Sequence, residues 1–491
     1  MINALMRKAC QVMGDPVLRR WLIERAIGRV QGPPAFEVHR PGYLAELPEL
    51  RVEKFPMPEG VEIASAVPTS SLIELPLAGR RLQVNICDVP ALFARSFDDI
   101  EDLLALHRFA WLPLMQPEID AGWLTILWKQ WRSQFGKPSE SWPWHPYTAA
   151  ERVINLIDYI TRHGCPGDAE ETVAVLARHG PAIASRLEYF GNHYTSNHLS
   201  NNGRGLYRLG LFLDWPACTE MGAAILVKEA GRIFTSSGML REGSSHYHYL
   251  LIRNYSDAWL ASRRHRRPEE PVLRQILQAA LGAACLLSMP GGLPLIGDIS
   301  PDCPPGFLAG FVDGESGWLS TQTDDDRAAI NKLRATLPEP AQNNLAKDGW
   351  LRYETGPWSG LWYCAPAGWP VMPGHGHQDC GGFELHYAKE ALFVDLGRGR
   401  YGESGDAAWY RSAAAHNTLR LDGRDPYPPN RPYYDAAFCQ RVGGKAPSLR
   451  REDDVIFLVH NGYRRIGAGT VQRVWRFTDN GVTIEDSISG R

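Results

Sequence analysis

Two histidines and an aspartate in the last quarter of the chain have the types and spacing to hold a metal. His377 lies in Gly374-His375-Gly376-His377-Gln378-Asp379, Asp395 ends the run Ala391-Leu392-Phe393-Val394, and His416 precedes Asn417-Thr418. Phe383, Leu385 and Tyr387 alternate with polar residues, the period of a half-buried strand. Ala391 to Val394 reads as the returning strand and Asn417 to Leu421 as a third, closed by Asp422-Gly423. His377, Asp395 and His416 then sit at neighbouring strand ends, and two imidazoles with one carboxylate suit Zn²⁺. Two polar clusters lie further upstream. Ser196-Asn197-His198-Leu199-Ser200-Asn201-Asn202-Gly203 gathers poor helix formers at a helix start, where capping alone would explain them. Arg241-Glu242-Gly243-Ser244-Ser245-His246-Tyr247-His248-Tyr249 sets polar groups and aromatics ahead of an apolar helix, too polar a stretch to be wholly core.

These clusters need elements to position them. From about Ser96 the chain reads as successive helices. Asp99 can cap a helix at Ile100, Thr148 and Glu151 form a capping box, and Asp168 with Glu171 opens a helix that Gly180-Pro181 should end. Further helical segments follow at 182–195, 198–214, 219–234, 245–262 and 271–288. Short connections without strand signals imply antiparallel pairs. Without a fixed-period repeat, they favour a closed (α/α) toroid over a regular solenoid. Leu293-Pro294-Leu295-Ile296 stops at Gly297-Asp298, either a turn or a cleft-facing pair. Near residue 345 the texture changes to short alternating strands such as Trp350-Leu-Arg-Tyr-Glu, Val455-Ile-Phe-Leu-Val-His and Val471-Gln-Arg-Val-Trp-Arg-Phe, which argue an antiparallel β-sandwich. The expected organisation is a mixed, Pro-rich segment over 1–95, a helical toroid over 96–340 and a sandwich over 345–491.

Composition limits the partners. A chain of 491 residues exceeds one core and suggests two domains. A net charge of −3 gives no general pull toward nucleic acid or acidic membranes, so an anionic substrate needs a local basic pocket. Sixteen Trp and eighteen Tyr supply flat surfaces that suit sugar stacking as well as core packing. Nine cysteines without a C-x-x-C do not read as a disulfide framework. Residues 1–27 show no secretory leader, and no apolar run is long enough to span a bilayer, so the expected location is cytoplasmic.

The run from Gly374 to Gly423 resembles the heparinase II/III-like polysaccharide lyases. Their order of G-H-x-H, a strand pair, D-x-G, an aromatic-rich loop and R-S-x-x-x-H-N-T is reproduced by His375/His377, Asp395-Leu396-Gly397, the loop with Tyr401 and Tyr410, and Arg411-Ser412 through His416-Asn417-Thr418. The resemblance implies the toroid-plus-sandwich fold, here with a sandwich abbreviated or incomplete at its C-terminal end. It implies one structural Zn²⁺ on His377, Asp395 and His416, with His375 lining the active site. Asn197-His198 ahead of Gly205-Leu206-Tyr207-Arg208-Leu209-Gly210-Leu211 matches the family element that grips the substrate carboxylate; Asn192-His193 is a second such pair. Glu242-Gly243-Ser244 followed by Tyr247-His248 matches the element whose Tyr is the catalytic acid or base, and Tyr249 is the alternative. Trp144-His145-Pro146-Tyr147 with Arg152 resembles a helix start near the cleft. Family habit also makes the periplasm the alternative location.

The implied chemistry is β-elimination on a uronate-containing acidic glycan, including alginate-like and other bacterial polysaccharides. The C5 proton is weakly acidic, so Asn197 and His198 must neutralise the carboxylate where charge develops. Tyr247 and His375 then share the roles of removing that proton and protonating the departing O4. Tyrosine ordinarily titrates near 10, so a base role calls for cationic neighbours, for which His248 and Arg411 are candidates. The substrate-binding candidates are His248, Tyr249, Tyr401, Tyr410 and Arg411. Two other classes fit the residues: a zinc-dependent glycan hydrolase with an open metal position, and a non-catalytic glycan-binding or exopolysaccharide-biosynthesis accessory protein.

Overall fold

The structure, a computed structural model, describes residues 12–30, 39–64, 67–115, 119–337, 342–370, 375–402, 404–431 and 433–490. It is a toroid of helix pairs followed by an antiparallel β-sandwich. The helical part comprises α1 (Pro16–Ala26), a hairpin of β1 (Leu72–Pro76) and β2 (Arg81–Asn85), α2 (Ile100–Arg108), α3 (Ala121–Phe135), α4 (Pro146–His163) and α5 (Ala169–Ala184). It continues through α6 (Asn197–Phe212), α7 (Pro216–Ile233), α8 (Ser245–Arg264), α9 (Glu270–Leu287) and α10 (Asp324–Ala335). The sheets are β3 (Trp350–Thr355), β4 (Trp358–Tyr363), β5 (Gly382–Tyr387) and β6 (Glu390–Phe393), paired in sequence, then β7 (Ser448–Glu452), β8 (Val455–His460), β9 (Thr470–Thr478) and β10 (Gly481–Ser489), also paired in sequence. Between them come α11 (Asp406–Arg411) and α12 (Ala436–Gly443). Among the described residues no helix is long and apolar enough to cross a membrane.

Helix α6 is central to the toroid, touching α4, α5, α7 and α8. Its glycines permit this. A Cβ on Gly205 would lie 2.6 Å from Ala150, and one on Gly210 would lie 2.4 Å from the Thr219 nitrogen. Charged residues fill much of the interior beside it. Arg204 donates to Asp257 at 2.7 Å and to Glu151 at 3.1 Å, and Arg208 pairs with Asp257 and Asp158. In the sandwich, Trp362 and Phe383 from one sheet meet Trp475 of the other at centroid distances of 5.8 and 5.5 Å.

Several local expectations differ from the structure. Helix α4 begins at Pro146, so Thr148 is buried within it and Glu151 turns to Arg204 instead of closing a capping box. Helix α5 runs through Gly180-Pro181 to Ala184, because the absent Cβ at Gly180 makes room for the Trp215 ring and a proline near a helix end costs little further pairing. The segment expected as a helix over 182–195 holds only the last residues of α5, to Ala184, and the single turn Gly191–Tyr194. Asn417 to Leu421 is not a strand: the Asn417 amide donates instead to the Phe383 and Val394 carbonyls, both at 2.9 Å. Helix α1 was not foreseen. It leaves the helical part and packs Trp21 on Tyr433 and Tyr434, with Glu24 accepting from Arg441 at 2.6 Å.

Asp257 gives this interior a pH signature. Burial opposes its charge, but Arg208 and Arg204 outweigh burial and hold it at about 2. A folded value below the ordinary one contributes stability above roughly pH 4, which is lost as pH falls toward 2. Asp257→Asn should therefore lower stability at neutral pH by about 3–5 kcal/mol, since it strands two buried guanidinium groups. Denaturant melts should show the deficit at pH 7 and its shrinkage toward pH 2.

Candidate active site

A buried carboxylate organises the region where the two parts meet. The loop after α9 is strapped to the start of α8: Ser245 donates to Pro294 O at 2.7 Å, and Ser244 donates to Asp298 O at 2.7 Å. Ser244 also caps α8, accepting from the Tyr247 N–H at 3.0 Å. Gly297 has φ +82°, and a Cβ there would stand 2.6 Å from the Gly243 carbonyl, so only glycine allows the approach. The result is an Asp298 side chain with no solvent exposure, pointing at the sheet part.

Three side chains from the sheet part converge on it. His375 Nδ1 lies 2.9 Å from Asp298 Oδ2, His377 Nε2 lies 2.8 Å from Oδ1, and Arg398 Nη1 donates at 3.0 Å. Burial raises the Asp298 pKa, but the His375 and His377 contacts outweigh it and hold the carboxyl well below the usual range. For His375, burial disfavours the charged ring, and Asp298 and Glu242 more than offset this, so its pKa is raised.

Tyr247 sits against His375, ring edge to face, with centroids 4.6 Å apart. Tyr401 donates to the Ile299 carbonyl at 3.1 Å, leaving its oxygen to accept from Tyr247 at 2.8 Å. Arg398 lies over the Tyr401 ring at 4.0 Å. Burial first, then Tyr401 and Asp298, push the Tyr247 pKa well above 10, so the phenol is neutral. Glu242, fully buried, accepts from the Asn197 N–H at 2.8 Å and faces His375 Nε2 at 3.9 Å. The Asn197 amide oxygen has no hydrogen-bond partner among the described residues. Asn197, Glu242, His375, Tyr247 and Tyr401 thus form one connected group.

The other sequence candidates are placed differently. His198 is a neighbour of the group: its Nδ1 lies 2.7 Å from Glu188 Oε1, and its ring packs on Tyr147 at 4.5 Å. His248 and Tyr249 are core residues, contrary to the substrate-site expectation. His248 has both ring nitrogens satisfied, by the Ala280 carbonyl at 3.0 Å and the Leu240 N–H at 3.2 Å, and Tyr249 donates to Ala284 O at 3.0 Å. One and two helical steps past Tyr247 on α8 turn His248 and Tyr249 away from it. Tyr410 packs beside Gly399 and Trp409, and Arg411 ends α11 with its carbonyl accepting from the Gln378 N–H at 3.0 Å. The side chains of Asn192 and His193 lie outside the described residues. Residues the sequence did not commit to are Asp298, Glu242 and Arg398. A polar residue ending the apolar run before it was the only signal for Asp298.

His377 and His416 stack with centroids 4.9 Å apart, and His416 Nδ1 lies 2.9 Å from Asp395 Oδ2. Burial opposes the charge on His416, and Asp395 more than compensates, raising its pKa to about 9. His377 Nδ1 and His416 Nε2 are buried without hydrogen-bond partners. Two such nitrogens beside Asp395 fit a zinc site by donor type. Among the described residues, however, no three His, Cys, Asp or Glu side chains converge as a formed ligand set.

Residues 338–491 match the family model described as heparinase II/III-like, C-terminal. Over that stretch the chain is similar to the heparinase II/III-like family. A crystal structure of heparinase III matches 81% of this chain and 65% of its own, with 15% identity and a TM-score of 0.57, a likeness of fold. The chain therefore spans 65% of the length of that heparinase-type structure. A heparan sulfate lyase HepC mutant from Pedobacter heparinus aligns at 18% identity over 86% of this chain and 67% of its own, with a TM-score of 0.48. No curated protein sequence matches.

The Gly297 contact should be the most sensitive backbone point of this site. Gly297→Ala adds positive-φ strain of about 1–2 kcal/mol to the overlap with Gly243, and thermal melts should show a clear loss. Gly282→Ala on α9, where a Cβ meets nothing within 4 Å, should be neutral or stabilising by about 0.4–1 kcal/mol.

Proposed function

We propose that the protein is a polysaccharide lyase that cleaves a uronate-containing glycan by β-elimination, with residues 96–340 and 345–491 as the two walls of its cleft. The observation that carries this reading is the edge-to-face contact of Tyr247 with His375, 4.6 Å between centroids, made between the helical and sheet parts. The match of residues 338–491 to the heparinase II/III-like C-terminal family supports the assignment, and the fold is shared with heparinase III.

The roles follow from protonation. Asp298 occupies Nδ1 of His375 and leaves Nε2 as the nitrogen able to take the C5 proton. The C–H electron pair becomes the C4–C5 double bond as the C4–O4 bond breaks. Tyr247, a neutral phenol because of its burial, gives its proton to the departing O4. Asn197 Nδ2 donates one hydrogen to Glu242 Oε2 at 3.4 Å and turns its second to the substrate carboxylate, lowering the cost of charge developing there, with His198 in support. Tyr401 receives the Tyr247 hydrogen bond in the resting site and orients the phenol.

A zinc ion held by His377, Asp395 and His416 would be structural, neutralising Asp395 and pinning the strand ends behind His375. Protein purified without added metal should then contain about one zinc per chain, and His377→Ala should lose both the metal and thermal stability. Metal-free protein with unchanged melting would remove the zinc proposal and leave the acid–base pair standing.

Tyr247→Phe should reduce turnover by about 10²–10⁴-fold and Asn197→Ala by about 10²–10³-fold, with melting temperatures close to the parent. The readout is the ultraviolet absorbance of the unsaturated product from a panel of uronate polymers. Cleavage without that absorbance would favour a hydrolase. Undiminished activity in Tyr247→Phe would overturn the assignment of the acid.

A further inference from the structure

A cavity of about 660 Å³ lies on the helical part beside the site, bounded by the segment 93–96, α2, the end of α3, the turn before α4 and Arg186. Its chemistry differs from that of the Tyr247 centre. Trp142 presents 51% of its surface and stacks on His145 at 5.6 Å. Arg95 is exposed and Arg186 is half-buried, and neither has a carboxylate within ion-pair distance among the described residues. Glu140 is the one acidic residue among those that bound the cavity. The cavity adjoins the proposed site through a shared carboxylate: His145 Nε2 lies 3.6 Å and His198 Nδ1 lies 2.7 Å from Glu188 Oε1.

Behind the cavity wall stands an independent feature. Arg152 is fully buried, its Nη1 donates to the carbonyls of His107 and Pro143 at 2.9 and 2.7 Å, and both of those residues line the cavity. Its Nε donates to His179 at 3.0 Å, its Nη2 has no hydrogen-bond partner, and no carboxylate pairs with it among the described residues. Trp131 and Trp144, at 4.1 and 5.1 Å, supply only ring faces. A buried guanidinium without a counter-ion is costly and projects a positive potential into its surroundings, and its direct partners include the carbonyls of two residues that line this cavity.

We propose that this cavity binds an anionic sugar residue of the glycan away from the bond being cleaved, with Trp142 as the stacking platform and Arg95 and Arg186 as the anion ligands. The inference rests on the glycan reading above but not on the elimination chemistry. An acidic sugar ring placed there has its flat face on Trp142 and its carboxylate or sulfate toward the arginines, so the site selects acidic over neutral chains.

The test is calorimetric binding to the Tyr247→Phe protein, which keeps the probes intact. The probes are an unsulfated uronate hexasaccharide, a heparan sulfate hexasaccharide and cellohexaose. Both acidic probes, or the sulfated one alone, should bind at least about tenfold tighter than cellohexaose, a difference of 1.4 kcal/mol; which of them binds distinguishes carboxylate from sulfate recognition. Arg95→Ala, which breaks no side-chain hydrogen bond or ion pair among the described residues, should remove about that tenfold for the acidic probe. Trp142→Ala should weaken binding further, with thermal melts unchanged in both. Equal affinity for acidic and neutral probes, no binding at all, or unchanged binding in Arg95→Ala and Trp142→Ala would overturn the proposal. Unsaturated product from the parent protein with an unaltered KM in Arg95→Ala would remove the cavity and keep the lyase. Binding that responds to Arg95 without any unsaturated product would do the reverse.

Discussion

The structure depends on neutralising one buried carboxylate. Asp298 comes from the helical part and has no access to water, and its charge is met by His375, His377 and Arg398 from the sheet part. A lone carboxylate in such a position would cost several kcal/mol, so the two parts gain most when all three donors arrive together. The same loop is fixed from the other side by Ser244 and Ser245 at the start of α8, three and two residues before Tyr247. One electrostatic requirement therefore sets the position of a histidine on one part relative to a tyrosine on the other. Glu384 adds a second link of this kind, accepting from the Leu295 N–H at 2.6 Å, but it lies on the far side of the loop from the Tyr247 pair.

Much of this was legible in the sequence, for reasons that particular residues make clear. Caps at Asp99 and Asp168 and apolar periodicity gave the toroid helices, and alternation around Val455 gave a strand of the second sheet. Those signals are local, and so they survive without knowledge of the partner. Helix α1 failed that condition: its apolar face answers to Tyr433 and Tyr434, more than four hundred residues away. Asn417 failed for a related reason. Its side chain competes for two strand carbonyls and stops the chain from pairing as a strand.

The site shows the same division. Asn197, Tyr247 and His375 stood out by residue type, whereas Asp298 and Glu242 are ordinary acids whose importance comes only from what the fold puts beside them. His248 and Tyr249 misled because helix α8 is buried on nearly all sides, so adjacency in sequence does not mean adjacency to the cleft. The unsatisfied polar atoms tell a consistent story. Asn197 Oδ1, His377 Nδ1 and His416 Nε2 are buried without partners in and beside the cleft, and such atoms concentrate where a ligand completes the pairing.

The central claim is that the Asp298 junction and the Tyr247 phenol act as one catalytic unit across the two parts. A double-mutant cycle on turnover of a uronate polymer, combining Asp298→Asn with Tyr247→Phe, tests it most directly. The account predicts that each single change costs most of the rate and that the pair costs little more than either alone, a strongly non-additive result. Losses that simply multiply, or an Asp298→Asn protein with parental turnover, would contradict it.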